Sequence, residues 1–196
     1  MLIRLAKKEE AKQIVPLIVQ AIEDIAFMLT GTSSIEEATP ILEYYVESEC
    51  NRLSYKNCLV KVQNGTIIGV IIGYHTTELS ILDREMLNII SQNLGIKNAT
   101  VDKEADDSDY YIDTLSVLPN YQGMGIGTEL LKGLIDYAKQ KGIARVSLNV
   151  DQDKPSARKL YEKVGFTFEK IRPIMGHPYD YLVYTIEIKI FKTKVV

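Results

Sequence analysis

The stretch Leu115-Ser116-Val117-Leu118-Pro119-Asn120-Tyr121-Gln122-Gly123-Met124-Gly125-Ile126-Gly127-Thr128 is the most informative in the chain. A β-rich run, Tyr110–Val117, ends in it, a proline turns the chain, and three glycines at alternate positions lead into a helix over Gly125–Gln140. That helix is read from Ile126, Leu130, Leu131, Leu134, Ile135 and Ala138 on one face, with Gly142 to stop it. Glycines take backbone shapes that side chains forbid and let a bulky group approach the main chain. The first N–H groups of a helix have no intrahelical partner and lie at the positive end of its macrodipole. The segment is therefore an anion cradle suited to a diphosphate.

Spacing narrows the choice of diphosphate. In the dinucleotide fingerprint the third glycine comes one residue later than here, and the acidic ribose partner expected further on is missing, where the chain reads Arg145-Val146-Ser147-Leu148-Asn149. A phosphate-binding loop of the Walker type needs Lys-Ser/Thr after its last glycine, whereas Thr128 follows Gly127 directly. Gln122-Gly123-Met124-Gly125-Ile126-Gly127 does fit the acyl-CoA loop Gln/Arg-x-x-Gly-x-Gly/Ala, and Ala157-Arg158-Lys159-Leu160-Tyr161-Glu162-Lys163-Val164-Gly165-Phe166 fits Ala-x-x-Leu-Tyr-x-x-x-Gly-Phe. On these two motifs, in this order, the chain resembles the GNAT superfamily of acetyl-CoA-dependent N-acetyltransferases across roughly Tyr110–Phe168.

The remaining elements fit around this segment. Leu2–Ala6 reads as a strand, and Ile14, Val15, Ile18, Ile22, Ile25 and Leu29 form a helical stripe, with Pro16 expected to kink or delay the helix and Gly31 to end it. Ser34-Ile35-Glu36-Glu37 is a capping box for a helix to about Asn51. Asn64-Gly65 joins Cys58–Gln63 to Thr66–Tyr74 as a hairpin. Leu79–Leu94 is helical, and the polar segment Lys97–Asp109 is a loop. Ala144–Val150 is a strand and Pro155–Val164 a helix, and Phe166–Ile171 and Asp180–Phe191 complete the strands. Strands alternating with helices imply an α/β, mixed sheet flanked by helices. The resemblance sharpens this to a GNAT-like acyl-CoA N-acyltransferase fold, a mixed, mostly antiparallel sheet in one domain over residues 1–196.

Composition sets outer limits. Lys+Arg 23 against Asp+Glu 26 leaves a net charge of −3, which argues against non-specific nucleic-acid binding. Cys50 and Cys58 have no Cys/His cluster nearby, so neither a disulfide framework nor a metal site is expected, only buried or half-buried thiols. No apolar run approaches a membrane span, and the first ten residues cannot serve as a signal-peptide core. A cytoplasmic location is the expectation, with no nucleic-acid or membrane partner.

The resemblance implies direct attack of a neutral amine on acetyl-CoA as co-substrate, in a ternary complex. Leu115, Ser116 and Val117 would contribute main-chain contacts to the acetyl arm, and Gln122, Gly123, Met124, Gly125, Ile126, Gly127 and Thr128 would hold the pyrophosphate. The Tyr161 hydroxyl would lie near the sulfur and protonate it on departure. The proton of the amine needs an acceptor, and Asp113, His177, His75 and a water chain all stay open. Lys154 stands where the family commonly has Asn; it would contact a CoA phosphate, or the helix entry would be supported by Asp153 as a cap. The acidic run Asp102, Glu104, Asp106, Asp107 and Asp109 reads as a solvated loop, with a guide for a cationic amine as the alternative. The acceptor itself, whether small molecule, peptide or protein, has no motif, and the closing strands could pair across a homodimer. A catalytically silent CoA-binding sensor or interaction module on the same scaffold is the second class.

Overall fold

A computed structural model describes residues 2–187. Seven strands form one sheet in the order β1-β2-β3-β4-β5-β7-β6. These are β1 (Leu2–Leu5), β2 (Cys58–Gln63), β3 (Thr66–His75), β4 (Tyr110–Val117), β5 (Arg145–Asp151), β6 (Thr167–Ile174) and β7 (His177–Thr185). Every pairing is antiparallel except β4 with β5. Helices α1 (Ala11–Ile22), α2 (Ile25–Thr30), α3 (Ile35–Glu47) and α4 (Leu79–Leu94) cover one face; α5 (Ile126–Gln140) and α6 (Pro155–Val164) cover the other. The mixed, mostly antiparallel sheet flanked by helices is the expected class.

Strand alternation sends apolar side chains both ways. On the first face Val60, Val70 and Ile72 meet Ile14, Leu17 and Ile18 of α1 and Leu42 and Tyr45 of α3. On the second, Ile71, Ile112, Val146 and Leu148 meet Ile126, Leu130, Leu131 and Leu134 of α5. Tyr45 is buried while Tyr44 beside it is exposed.

Several expectations are corrected. Pro16 does not delay α1, which runs through it; Pro16 and Lys12, whose carbonyl loses its partner, both lie on the exposed face where water can replace the bond. The break comes at Glu23, with φ 49°, so a third helix precedes β2. Helix α3 stops at Glu47 rather than near Asn51, because the buried Asn51 side chain takes the Tyr45 carbonyl at 2.9 Å. Ser34 caps α3 as expected, accepting from Glu37 N–H at 3.3 Å, but the Glu37 carboxylate reaches Ser33 N–H instead of the cap residue. Cys58 is buried, whereas Cys50 is exposed.

The closing strands pair with each other as a hairpin, turning at Met175-Gly176 with φ 53° and 77°. His177 therefore starts the last strand, which begins three residues before the expected Asp180. Strand β7 ends at Thr185, with Ile186 and Glu187 outside it; residues 188–191 of the expected strand lie outside the described residues. No described helix is long and apolar enough to cross a membrane.

Replacing the α3 cap, Ser34→Ala, is expected to cost about 1 kcal/mol. Urea denaturation should read that loss as a lower midpoint at unchanged slope.

Candidate active site

Strands β4 and β5 run parallel and pair only through Tyr110–Val146, Tyr111–Ser147 and Ile112–Leu148. Beyond that rung β4 stays with β3 as far as Val117, and β5 stays with β7 as far as Asp151. The sheet therefore forks. The cause lies in β4, where Asp113 is an extra residue opposite Ile72–Gly73, a bulge that bends and twists the strand.

Leu118 N–H donates to Ile68 O of β3 at 2.9 Å. Successive strand residues turn their amides to opposite edges, so Ser116 faces β3 while Leu115 and Val117 face into the fork. The Ser116 hydroxyl accepts from Gln20 Nε2 on α1 at 3.0 Å, on the face away from α5. The carbonyl of Val117 accepts from Gln20 Nε2 at 3.0 Å and from Gln122 Nε2 at 3.1 Å. The Gln122 side chain thus closes the turn onto the strand.

The glycine loop lies just beyond the end of β4. Gly123 and Gly125 have φ of 74° and 81°, the left-handed region, and a Cβ on either would project into open space. At Gly127 a Cβ would meet Leu160 Cδ2 at 3.3 Å, so this glycine brings α5 and α6 together. Gln122 N–H donates to Pro119 O, and the next main-chain donor with a main-chain partner is Glu129, to Gly125 O. From Gly123 to Thr128, among the described residues, six consecutive amides have none. With the α5 dipole behind them they offer what a diphosphate requires, and the residues present fit that group.

Tyr161 stands on α6 beside Leu160, edge-on to Phe166 with ring centroids 6.1 Å apart. Burial alone pushes its hydroxyl up to about 12, so it stays protonated across the physiological range. Lys154 sits at the N-terminus of α6, where it, not Asp153, is the cap residue; its Nζ donates to Glu23 Oε1 at 3.1 Å, tying α6 to the corner between α1 and α2. Asp153 N–H instead closes on Asp151 Oδ1.

The base candidates separate in space. Asp113, at the fork, accepts from Tyr74 O–H at 2.8 Å and from Thr114 O–H at 2.9 Å. His177 lies at the rim, its Nε2 3.1 Å from Asp151 Oδ1. His75 pairs with Tyr110 at the far end of β4 and lines a cavity of about 770 Å³ with Tyr137 and Lys141, away from the fork.

The acidic run is a loop, but most of its carboxylates are bonded to other segments; Asp107 is left largely to solvent, its side chain 85% exposed beside Lys103. Asp106 is paired with Lys170 and Arg172, Asp109 with Arg145 and Tyr181, and Asp102 accepts from Met175 N–H at 2.6 Å. Glu104 bonds to Arg52 at 3.0 Å and to Tyr111 O–H at 2.8 Å. Sequence reading offered no signal that singled out Glu104, Arg52 or Asn149, because their partners come from distant segments.

The model of the acetyltransferase (GNAT) family matches residues 19–166. The [ribosomal protein bS18]-alanine N-acetyltransferase of Haemophilus influenzae is 38% identical over 86 residues, 44% of this chain and 57% of that protein. A solved acetyltransferase structure shares 30% identity with a TM-score of 0.80, covering 95% of this chain and 100% of the other. An N-acetyltransferase from Staphylococcus aureus Mu50 shares 25% with a TM-score of 0.74, covering 94% and 100%. The chain spans about half the length of the curated relatives it matches.

Gly125→Ala would place a Cβ in the left-handed region at a cost of about 1–2 kcal/mol and crowd the cradle. Isothermal titration with CoA is expected to show affinity reduced about tenfold or more; unchanged affinity would detach the loop from diphosphate binding.

Proposed function

The chain belongs to the acetyltransferase (GNAT) family, and on that premise we propose that it transfers the acetyl group of acetyl-CoA to an amine by direct attack within a ternary complex. The observation that carries this reading is the row of six unpartnered amides at the start of α5, next to a fork whose edge also presents free donors. A diphosphate arm held at the first would direct its acyl end toward the second. The acceptor is a primary amine of a small molecule, peptide or protein. The bS18-alanine relative acts, by its name, on an alanine of a ribosomal protein.

Bound acetyl-CoA would supply an activated thioester with a thiol as its leaving group. The protein's own contribution is positional and protonic. Gly123–Thr128 hold the pyrophosphate through main-chain N–H groups. Leu115 and Val117 turn amides toward the acetyl oxygen, where fixed donors meet the charge that develops as the amine nitrogen bonds to carbon. Tyr161 donates its hydroxyl proton to the sulfur as the carbon–sulfur bond breaks. A free thiol has a reference value of ~8.5 and a phenol ~10, so in water the transfer runs slightly uphill. Burial raises the phenol further, so the benefit of the transfer rests on how closely the hydroxyl is positioned to the sulfur.

The test is release of free thiol from acetyl-CoA across a panel of amines, with product mass confirmed. Tyr161→Phe is expected to lower kcat by about 10²-fold or more with CoA affinity nearly unchanged. Equal turnover in the variant would remove Tyr161 from the proton path, and no turnover with any amine would favour a silent CoA-binding module.

A further inference from the structure

The proposed reaction needs a group to take the proton of the amine, and the buried polar cluster on the α1 face of the fork supplies one. Asn149 is the first residue of β5 past the last rung shared with β4. Its Nδ2 donates to Tyr111 Oη at 3.0 Å and to the Glu104 carbonyl at 2.8 Å, while its Oδ1 is buried with no hydrogen-bond partner among the described residues. Tyr111 in turn donates to Glu104 Oε2 at 2.8 Å. Glu104 is therefore held from both strands, its carboxylate by Tyr111 of β4 and its main-chain carbonyl by Asn149 of β5, and it keeps 25% of its side chain open to solvent. Asp113 stands on the same face, joined to the cluster through Tyr74, whose ring meets Tyr111 edge-on at 5.9 Å.

Resting on the acetyltransferase reading, we infer that Glu104 is the general base of the acceptor site, positioned by Arg52, Tyr111 and Asn149. The amine proton passes to a Glu104 carboxylate oxygen as the nitrogen–carbon bond forms, and leaves to solvent through the exposed quarter of the side chain. The charged and titratable groups around Glu104 come from several elements. Arg52 lies before β2 and is clamped by Asp83 of α4, with Nη2 2.9 Å from Oδ2; Tyr74 comes from β3, Tyr111 and Asp113 from β4, and Tyr179 from β7. Burial first, and then the Asp113 charge, raise Glu104 to about 6, against the pull of Arg52 and the hydrogen bond from Tyr111. A base so placed is ionised at neutral pH and still holds a proton well enough to accept one.

A group raised in this way is charged above about pH 6 and neutral below it, so kcat should fall on the acid side of pH 6. With the intact chain at saturating acetyl-CoA and amine, Glu104→Gln is expected to lower kcat at pH 7.5 by about 10²-fold and to abolish the acid limb, while CoA still binds. Asp113→Asn removes the neighbouring charge without touching Glu104, and should move the limb to lower pH by up to about one unit. A merely structural Glu104 would not carry the limb. Turnover with the limb unmoved in both variants overturns the assignment and leaves the acetyltransferase reading intact. A wild-type chain that turns over no amine overturns both.

Discussion

The site depends on one interruption of hydrogen bonding. Strands β4 and β5 are held together over three rungs and then let go, because the bulge at Asp113 redirects β4. Leaving main-chain donors unpaired in a folded interior costs about 1–3 kcal/mol each. The chain offsets part of this on the acceptor side, where two glutamine side chains satisfy the Val117 carbonyl. The donors of Leu115 and Val117 face the fork without a partner from β5. The same economy operates at the start of α5, where left-handed glycines keep six amides from closing on one another. Fold and proposed ligand site are thus one design, in which a bound acetyl-CoA would complete the sheet and helix.

Much of this was legible before any coordinates because the signals are local. Tyr110–Val117, Leu79–Leu94 and Pro155–Val164 have the ends that were read from them, since periodicity and flanking glycine or proline act within a few residues. The glycine spacing pointed to a diphosphate and the second motif to a partner helix, and α6 does pack beside the loop. Other features were illegible for reasons of the same physical kind. The break at Glu23 has neither glycine nor proline to announce it. The end of α3 is set by the Asn51 side chain, a residue that reads equally well as helical. Prolines at 173 and 178, facing each other across the hairpin, hid the extension of β6 and the early start of β7.

The acidic segment before β4 shows the largest gap between reading and structure. A run of carboxylates looks solvated when its counter-charges are unknown. Here they come from Arg52, Arg145, Lys170 and Arg172, spread over 120 residues of sequence, so no window could reveal them. Paired carboxylates of this kind hold an irregular segment against the sheet where helices cannot reach. Removing one partner would strand the other, the usual reason such pairs fix a conformation more than they add stability.

The carbonyl of Val117 has a consequence for the order of events. A carbonyl oxygen has two lone pairs, and both are taken, one by a residue of α1 and one by the residue that opens the glycine loop. In the proposed reaction, helix α1 would border the side from which the acceptor enters, and the loop the side of the nucleotide arm. A displacement of either glutamine would alter the strength with which the same oxygen holds the other, so occupancy on one side would change the free energy of occupancy on the other by an equal and reciprocal amount. On that reading, traffic through the two entrances would be linked at a single atom.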